Sequence, residues 1–300
     1  EYWFALGRTD LTDEILNNGG RYFEDITNIL IVEDFREHPL RDQIIFLPTA
    51  FSTLLAIEMA KFGAEWNETL KDCEVEDMRN ELWEQAMLNF LETLTRLRTA
   101  SAVIYNPIGK EIDRLMTGGV TTIISAKCMA DHTSLDAAFR IDGVGNEWEL
   151  LSFCSTGCSV HSRFVNEVLY PFIKFVTHRA FQKQLVEKPS ISSQVCDEFV
   201  LRSISVPVEH QPTGSMACGP ATAFFAELVY AYLRKAAAED DAEWAAFHAA
   251  RELGGISKIL ASDYLERREF YKTHLRNVSA QYIQVPCPLP HEADEAPTVT

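Results

Sequence analysis

The sequence predicts an α+β fold in which a small, mostly antiparallel sheet packs on helices. Three observations support this class: helical patterns dominate the early part of the chain, a β-hairpin pattern follows, and an extended run then leads into a long apolar helix. With 300 residues and 47% hydrophobic content, the chain can bury a substantial core. We expect a single domain over residues 1–285 and a disordered, Pro- and acid-rich tail over 286–300.

The first half of the chain contains a short strand and a long helical insertion. The apolar run Ile44–Leu47 predicts a strand, and Thr49 or Ser52 is placed to cap the helix start that follows. From 64 to 116, apolar residues recur every three or four positions between acidic ones, which predicts an amphipathic helix or helix pair. This insertion either packs on the core with its acidic face in water or serves to recognise a partner.

The middle of the chain predicts further strands, two of which form a hairpin. Residues 120–125 are rich in β-branched side chains, and 131–141 and 148–153 are extended runs separated by the turn at 142–146. His132 therefore lies where a strand begins.

The later elements lead to the most chemically informative segment. A helical pattern over 162–185 contains Pro171, which predicts a kink or a break. Residues 199–206 predict one more strand, a long helix starts near Cys218, and 236–285 predict a C-terminal helical extension.

Charge and hydropathy exclude several functions. The formal net charge of −17 argues against a nucleic-acid surface, because phosphate neutralisation needs clustered Lys and Arg. No apolar run is long enough to span a bilayer, so we expect no membrane partner. The seven cysteines form an odd set without a regular spacing, which favours a reducing, intracellular setting.

One cysteine pair superficially matches metal-ligand spacing. Cys154, Cys158 and His161 lie close in sequence, but no second pair follows at a usual separation. We therefore expect neither a metal nor another cofactor.

Cys218 is a candidate nucleophile because of its place at a helix start. A turn-rich segment ends at this residue, and Gly219-Pro220 and an apolar helical run follow. Free N–H groups and the helix dipole at such a position favour a thiolate over a thiol. The alternative is a structural cysteine at a buried helix start.

Several segments together resemble the ubiquitin-like-protein proteases, the SUMO-deconjugating cysteine peptidases. Residues 11–16 (Leu-Thr-Asp-Glu-Ile-Leu) look like that family's first helix start, and 45–51 (Ile-Phe-Leu-Pro-Thr-Ala-Phe) look like its element with paired aromatics. His132 with its strand resembles the catalytic-histidine strand, and 199–219 resemble the strand and loop that end in Cys-Gly. The resemblance spans residues 8–235 and implies the papain-like fold of the SUMO-protease type.

The resemblance also implies roles for individual residues. Cys218 would be the nucleophile, His132 the base, and Gln211 the side chain that binds the oxyanion. The sequence departs from the family at Thr133, where the family has Trp, and at Ala217, where it has Asp. Gln211 also stands one residue further from the cysteine than in the family.

The residue that orients His132 is ambiguous in the sequence. The family's usual hairpin length places Glu149 in this role, and we take it as the candidate acid. Aligning the second strand of the hairpin instead places Cys154 there, and Asp136 is a third alternative. A Cys–His pair without a third member can still catalyse, because that member mainly fixes the tautomer and orientation of the imidazole.

The function that the resemblance implies is thiol attack on a Gly-Gly type peptide or isopeptide carbonyl. The partners would then be ubiquitin-like proteins or their conjugates, in the nucleus or the cytoplasm. One alternative is a catalytically degenerate relative that binds proteins. Another is a Cys-dependent acyltransferase, which shares the order His then Cys.

Overall fold

The structure is a computed structural model. It describes residues 38–47, 119–129, 132–142, 147–157, 164–174, 199–215, 217–239 and 244–268, together with residues 49, 52, 55, 56, 114, 177, 270 and 271.

A five-stranded sheet lies at the centre of the fold. Its strands, in spatial order, are β1 (Ile44–Leu47), β2 (Thr122–Met129), β3 (His132–Arg140), β4 (Glu147–Phe153) and β5 (Val200–Ser205). These strands confirm the predicted hairpin and the predicted strands on either side of it.

The sheet is mixed, which corrects the expectation of a mostly antiparallel one. The pairings β2–β3 and β3–β4 are antiparallel, whereas β1–β2 and β4–β5 are parallel. Parallel neighbours need a crossover of a dozen residues or more. The long connections 48–121 and 154–199 supply that length.

Helices cover one face of the sheet. Helix α1 (Cys218–Glu239) packs on β3, and helix α2 (Ala245–Gly254) packs on α1, β3 and β4. Phe225 of α1 lies with its ring centroid 5.5 Å from that of Phe153 on β4, in a stacked arrangement. Because both rings are fully buried, their contact fixes the position of α1 on the sheet.

The other face of the sheet carries a second core built on the helical segment 164–174. Pro171 lies inside this segment, and the turns before it widen into a π-helix at Val165–Leu169, where the Tyr170 N–H donates to the Val165 carbonyl. A proline ring clashes with the carbonyl four residues earlier, and the wider turns relieve that clash. The predicted distortion at Pro171 thus takes the form of a π-turn rather than a break.

A loop between β5 and α1 is fastened to the C-terminal part of the chain. Val208 forms a parallel bridge with Ile259, and the Glu209 N–H donates to the Ile259 carbonyl at 2.8 Å. The Tyr264 hydroxyl donates to the Glu209 carbonyl at 2.8 Å. These bonds fix the path of the chain as it approaches Gln211.

Some predictions lie outside the described residues. These are the helix starts before residue 38, the insertion 64–116 apart from Arg114, and the tail 286–300. Within the predicted extension 236–285, α2 and residues 261–268 are helical. No helix within the described ranges has the length and apolar character needed to cross a membrane.

Candidate active site

Two secondary-structure ends bring Cys218 and His132 together. Cys218 is the first residue of α1, and His132 is the first residue of β3, against which α1 packs. Their side chains are hydrogen-bonded although 86 positions separate them in sequence. Both residues are partly buried.

The electrostatics of the pair favour a thiolate beside an imidazolium. Burial alone would raise the pKa of Cys218, but hydrogen bonds from His132 and Thr133 outweigh burial and lower it. Burial alone would lower the pKa of His132, but hydrogen bonds to Cys154 and Cys218 raise it to about 9. Each group thus stabilises the charged form of the other.

A thiol and a hydroxyl face the far nitrogen of His132. Its Nε2 lies 3.4 Å from the Cys154 Sγ and 3.1 Å from the Thr156 Oγ1. Cys154 and Thr156 follow β4 directly and lie 3.4 Å from each other. Since Nε2 faces these two groups, Nδ1 is the ring nitrogen available to Cys218.

Glu149 does not lie beside His132, which corrects its assignment as the orienting acid. Glu149 pairs with Phe139, seven residues along β3 from His132, or roughly 23 Å at about 3.3 Å per residue. Its carboxylate instead lies near Gly254 of α2. Of the alternatives that the sequence left open, Cys154 is the one that the fold places next to the imidazole.

Asp136 is engaged elsewhere in the sheet. One of its carboxylate oxygens forms a buried ion pair with Lys127 of β2, and the other accepts a hydrogen bond from the Ser152 hydroxyl at 2.7 Å. Both oxygens are therefore occupied away from His132.

Gln211 is held beside the segment that carries Cys154. Its backbone N–H donates to the Ser155 carbonyl at 2.8 Å, and its side-chain oxygen accepts from the Ser155 hydroxyl at 3.0 Å. This double contact leaves the side-chain NH₂ group free of that bond and able to donate. The role of Gln211 as an oxyanion donor stays a prediction from the sequence.

Two threonines contact the nucleophile, and sequence reasoning missed them. Thr133 donates to Cys218 from both its backbone N–H and its hydroxyl. Thr222, one turn into α1, lies 2.8 Å from the Cys218 carbonyl oxygen and 3.2 Å from the Thr133 hydroxyl. Their signal in the sequence was weak: Thr133 stood out as a departure from the family, and Thr222 looked like an ordinary helical residue.

His210 packs on the turn that follows Cys154. A Cβ at Gly157 would meet the His210 Nε2 at 2.5 Å, and Gly157 has a φ of 64°. Two features therefore favour glycine at this position: the backbone has a positive φ, and the His210 ring leaves no room for a Cβ atom.

The described residues contain no group of three His, Cys, Asp or Glu side chains that could hold a metal ion. Cys158 and His161, which complete the metal-like spacing in the sequence, lie outside those residues. Neither Cys154 nor Cys218 forms a disulfide bond.

Comparisons with known proteins leave the family open. Neither a protein-family model nor a curated protein matches this chain. A solved structure titled "Crystal structure of the de-sumoylating protease" aligns with 90% of this chain and 86% of its own, at 12% identity and a TM-score of 0.45. A likeness at this level does not establish membership of a family.

Proposed function

We propose that this chain is a cysteine peptidase that cleaves a peptide or isopeptide bond through Cys218. The observation that carries the proposal is the hydrogen-bonded Cys218–His132 pair at the start of a buried helix. A nucleophilic cysteine needs a lowered pKa, a base within reach and a donor for the developing oxyanion. Cys218, His132 and Gln211 supply these three functions in the proposal.

The three residues act in turn in the reaction. The Cys218 thiolate attacks the carbonyl carbon, and the electron pair of the C=O bond moves onto oxygen, where the Gln211 amide donates to it. The oxyanion then collapses, the C–N bond breaks, and His132 gives its proton to the leaving nitrogen. His132 next takes one proton from water, and the remaining hydroxide attacks the thioester and displaces the thiolate. The product is a carboxylic acid, which loses its proton to the solvent.

Cys154 and Thr156 take the place of an orienting carboxylate in this scheme. In the proposal, the Nε2–H of His132 is directed at Cys154 and Thr156, which lie 3.4 Å and 3.1 Å from Nε2, and the other ring nitrogen serves Cys218. The orienting member of a triad chiefly holds the correct tautomer, and neutral acceptors can do this.

The substrate in the proposal is a ubiquitin-like protein or its conjugate with a Gly-Gly type C-terminus. The resemblance of residues 8–235 to the ubiquitin-like-protein proteases supports this class. The net charge of −17 suits partners that present basic surfaces.

Activity-based probes test the proposal directly. The full chain is incubated with a panel of ubiquitin-like proteins that carry a C-terminal electrophile, and adducts are mapped by mass spectrometry. We expect a covalent adduct at Cys218 with at least one probe, and none with Cys218→Ala. Cys154→Ala removes the other thiol that contacts His132 and should still form the adduct at Cys218, at a lower rate.

Two other outcomes would replace the proposal. No adduct with any probe, together with an unperturbed Cys218 pKa, would overturn it in favour of a protein-binding relative without catalysis. Self-acetylation by acetyl-CoA that is lost in Cys218→Ala, without peptide cleavage, would instead indicate an acyltransferase.

A further inference from the structure

The Cys218 sulfur accepts hydrogen bonds from the Thr133 backbone N–H and hydroxyl, and the Thr133 hydroxyl lies 3.2 Å from the Thr222 hydroxyl. A Cys–His mechanism does not require these hydroxyl groups. Thr133 belongs to β3, and Thr222 belongs to α1, so the two hydroxyls join the two elements that meet at the site. Both side chains are buried, with 4% and 0% of their surface exposed. Water therefore does not compete for these groups, and their hydrogen bonds lie in a medium of low polarity.

The number of hydroxyl hydrogen atoms limits which of these groups can donate. A carbonyl and a thiolate only accept, whereas each threonine hydroxyl has a single hydrogen to donate. The Thr222 hydroxyl lies within reach of both the Cys218 carbonyl, at 2.8 Å, and the Thr133 hydroxyl, at 3.2 Å. Because Thr222 is the donor in both contacts, its hydrogen is shared between the two acceptors. The Thr133 hydrogen is then left for the Cys218 sulfur, which also accepts from the Thr133 backbone N–H.

We propose that Thr133 and Thr222 form a hydroxyl relay that holds the sulfur of Cys218 in its ionised form. Thr133 touches the reacting atom, and Thr222 acts through Thr133 as a positioning residue. Hydrogen bonds to a charged acceptor are about twice as strong as neutral ones, so the relay favours the thiolate over the thiol. The relay rests on Cys218 being the nucleophile of the proposed function, but thiol ionisation can be measured without any turnover.

The charged group that acts on Cys218 among the described residues is His132, whose imidazolium also favours the thiolate. His132 in turn contacts Cys154 and Thr156. Threonine variants leave all these groups in place. A change in Cys218 ionisation in those variants is therefore assigned to the hydroxyls.

The test is the pH dependence of iodoacetamide alkylation at Cys218, resolved from the other cysteines by peptide mass analysis. Thr133→Val keeps the shape of the side chain and removes its hydroxyl. We expect the midpoint of alkylation to rise by about one pH unit. At a fixed acidic pH, alkylation should then be about tenfold slower, whereas the rate at high pH should not change. Thr133→Ser, which keeps the hydroxyl, should retain the wild-type midpoint.

Thr222→Val tests whether Thr222 acts on the Cys218 sulfur through Thr133. We expect a smaller rise in the midpoint, and no additional rise when it is combined with Thr133→Val, because both changes interrupt one chain of hydrogen bonds. An unchanged or lowered midpoint in Thr222→Val would exclude Thr222 from the relay.

Thr122→Val is the matched control. Thr122 on β2 is fully buried, and its hydroxyl has no hydrogen-bond partner in the part of the chain that the structure describes. This variant should leave the midpoint unchanged. A folded Thr133→Val with the wild-type midpoint would overturn the proposal, and Thr133→Ala provides the same reading if the valine variant does not fold. The alkylation midpoints do not depend on whether the ubiquitin-like probes react. The relay and the proposed function can therefore be rejected independently of each other.

Discussion

His132 lies between two sulfur atoms, and this arrangement sets the chemistry of the site. One ring nitrogen faces Cys154 and the other is available to Cys218, and the contacts with both thiols raise the pKa of the imidazole to about 9. The histidine is therefore a proton donor at neutral pH. In the proposed mechanism, this state can protonate a leaving amine after the thiolate has attacked.

The paired charges predict a bell-shaped dependence of kcat/KM on pH. Activity should rise as pH passes through the lowered pKa of Cys218, because the thiolate forms there, and fall near pH 9, because His132 loses its proton. The measurement is a pH–rate profile with a reactive C-terminal ester or amide of a ubiquitin-like protein. A profile that keeps rising above pH 9 would contradict the imidazolium.

Substitutions at Cys154 test whether this residue orients His132 in place of a carboxylate. Cys154→Ala removes one of the two groups at the His132 Nε2 and leaves Thr156, so we expect kcat to fall by about tenfold, as is typical when an orienting partner is lost. Cys154→Asp places a carboxylate there and should raise the pKa of His132 further. The checks are steady-state kinetics and titration of the imidazole by NMR.

At the scale of elements, the turn after β4 determines where Cys154 and Thr156 lie. Gly157 ends this turn with a positive φ, and the His210 ring covers it. Gly157→Ala should therefore lower activity by displacing the turn, with a backbone cost of about 1 kcal/mol. His210→Ala in the same chain removes the steric contact but not the backbone strain, so thermal denaturation of both variants separates the two effects.

The elements also show what sequence reasoning could and could not find. Apolar runs and turn residues predicted β1, the hairpin, β5 and the start of α1, because these signals are local. The parallel edges of the sheet and the partner of His132 depend on how distant segments align. A difference of a few residues in hairpin length separates Glu149 from Cys154, and only the register of β4 against β3 decides between them.

At the scale of the whole molecule, the sheet contains a buried ion pair on the face opposite α1. Lys127 and Asp136 join β2 to β3, with 1% and 0% of their side chains exposed, and the Lys127 ammonium lies 5.0 Å from the centre of the Phe164 ring. The pair thus connects the central strands to the helical segment 164–174.

Removal of one partner should be costly, because it leaves a buried charge without compensation. We expect Asp136→Asn to lower the free energy of unfolding by about 3–5 kcal/mol. The double variant Lys127→Met/Asp136→Leu should lose less, since both charges are gone. Chemical denaturation measures both, and equal losses in the two variants would argue against an energetic coupling of the pair.

The bonds between residues 207–209 and 259–264 have a consequence for the smallest catalytic unit. The thiol and the imidazole belong to α1 and β3, whereas the loop that leads to Gln211 is fastened to residues near Tyr264. A chain cut before Ile259 would lose this support and also Tyr264, a fully buried residue whose ring centroid lies 6.1 Å from that of Phe225 in α1. Residues 259–264 therefore support both the helix that carries Cys218 and the loop that carries Gln211, and a recombinant fragment without them should lose thiol reactivity and turnover together.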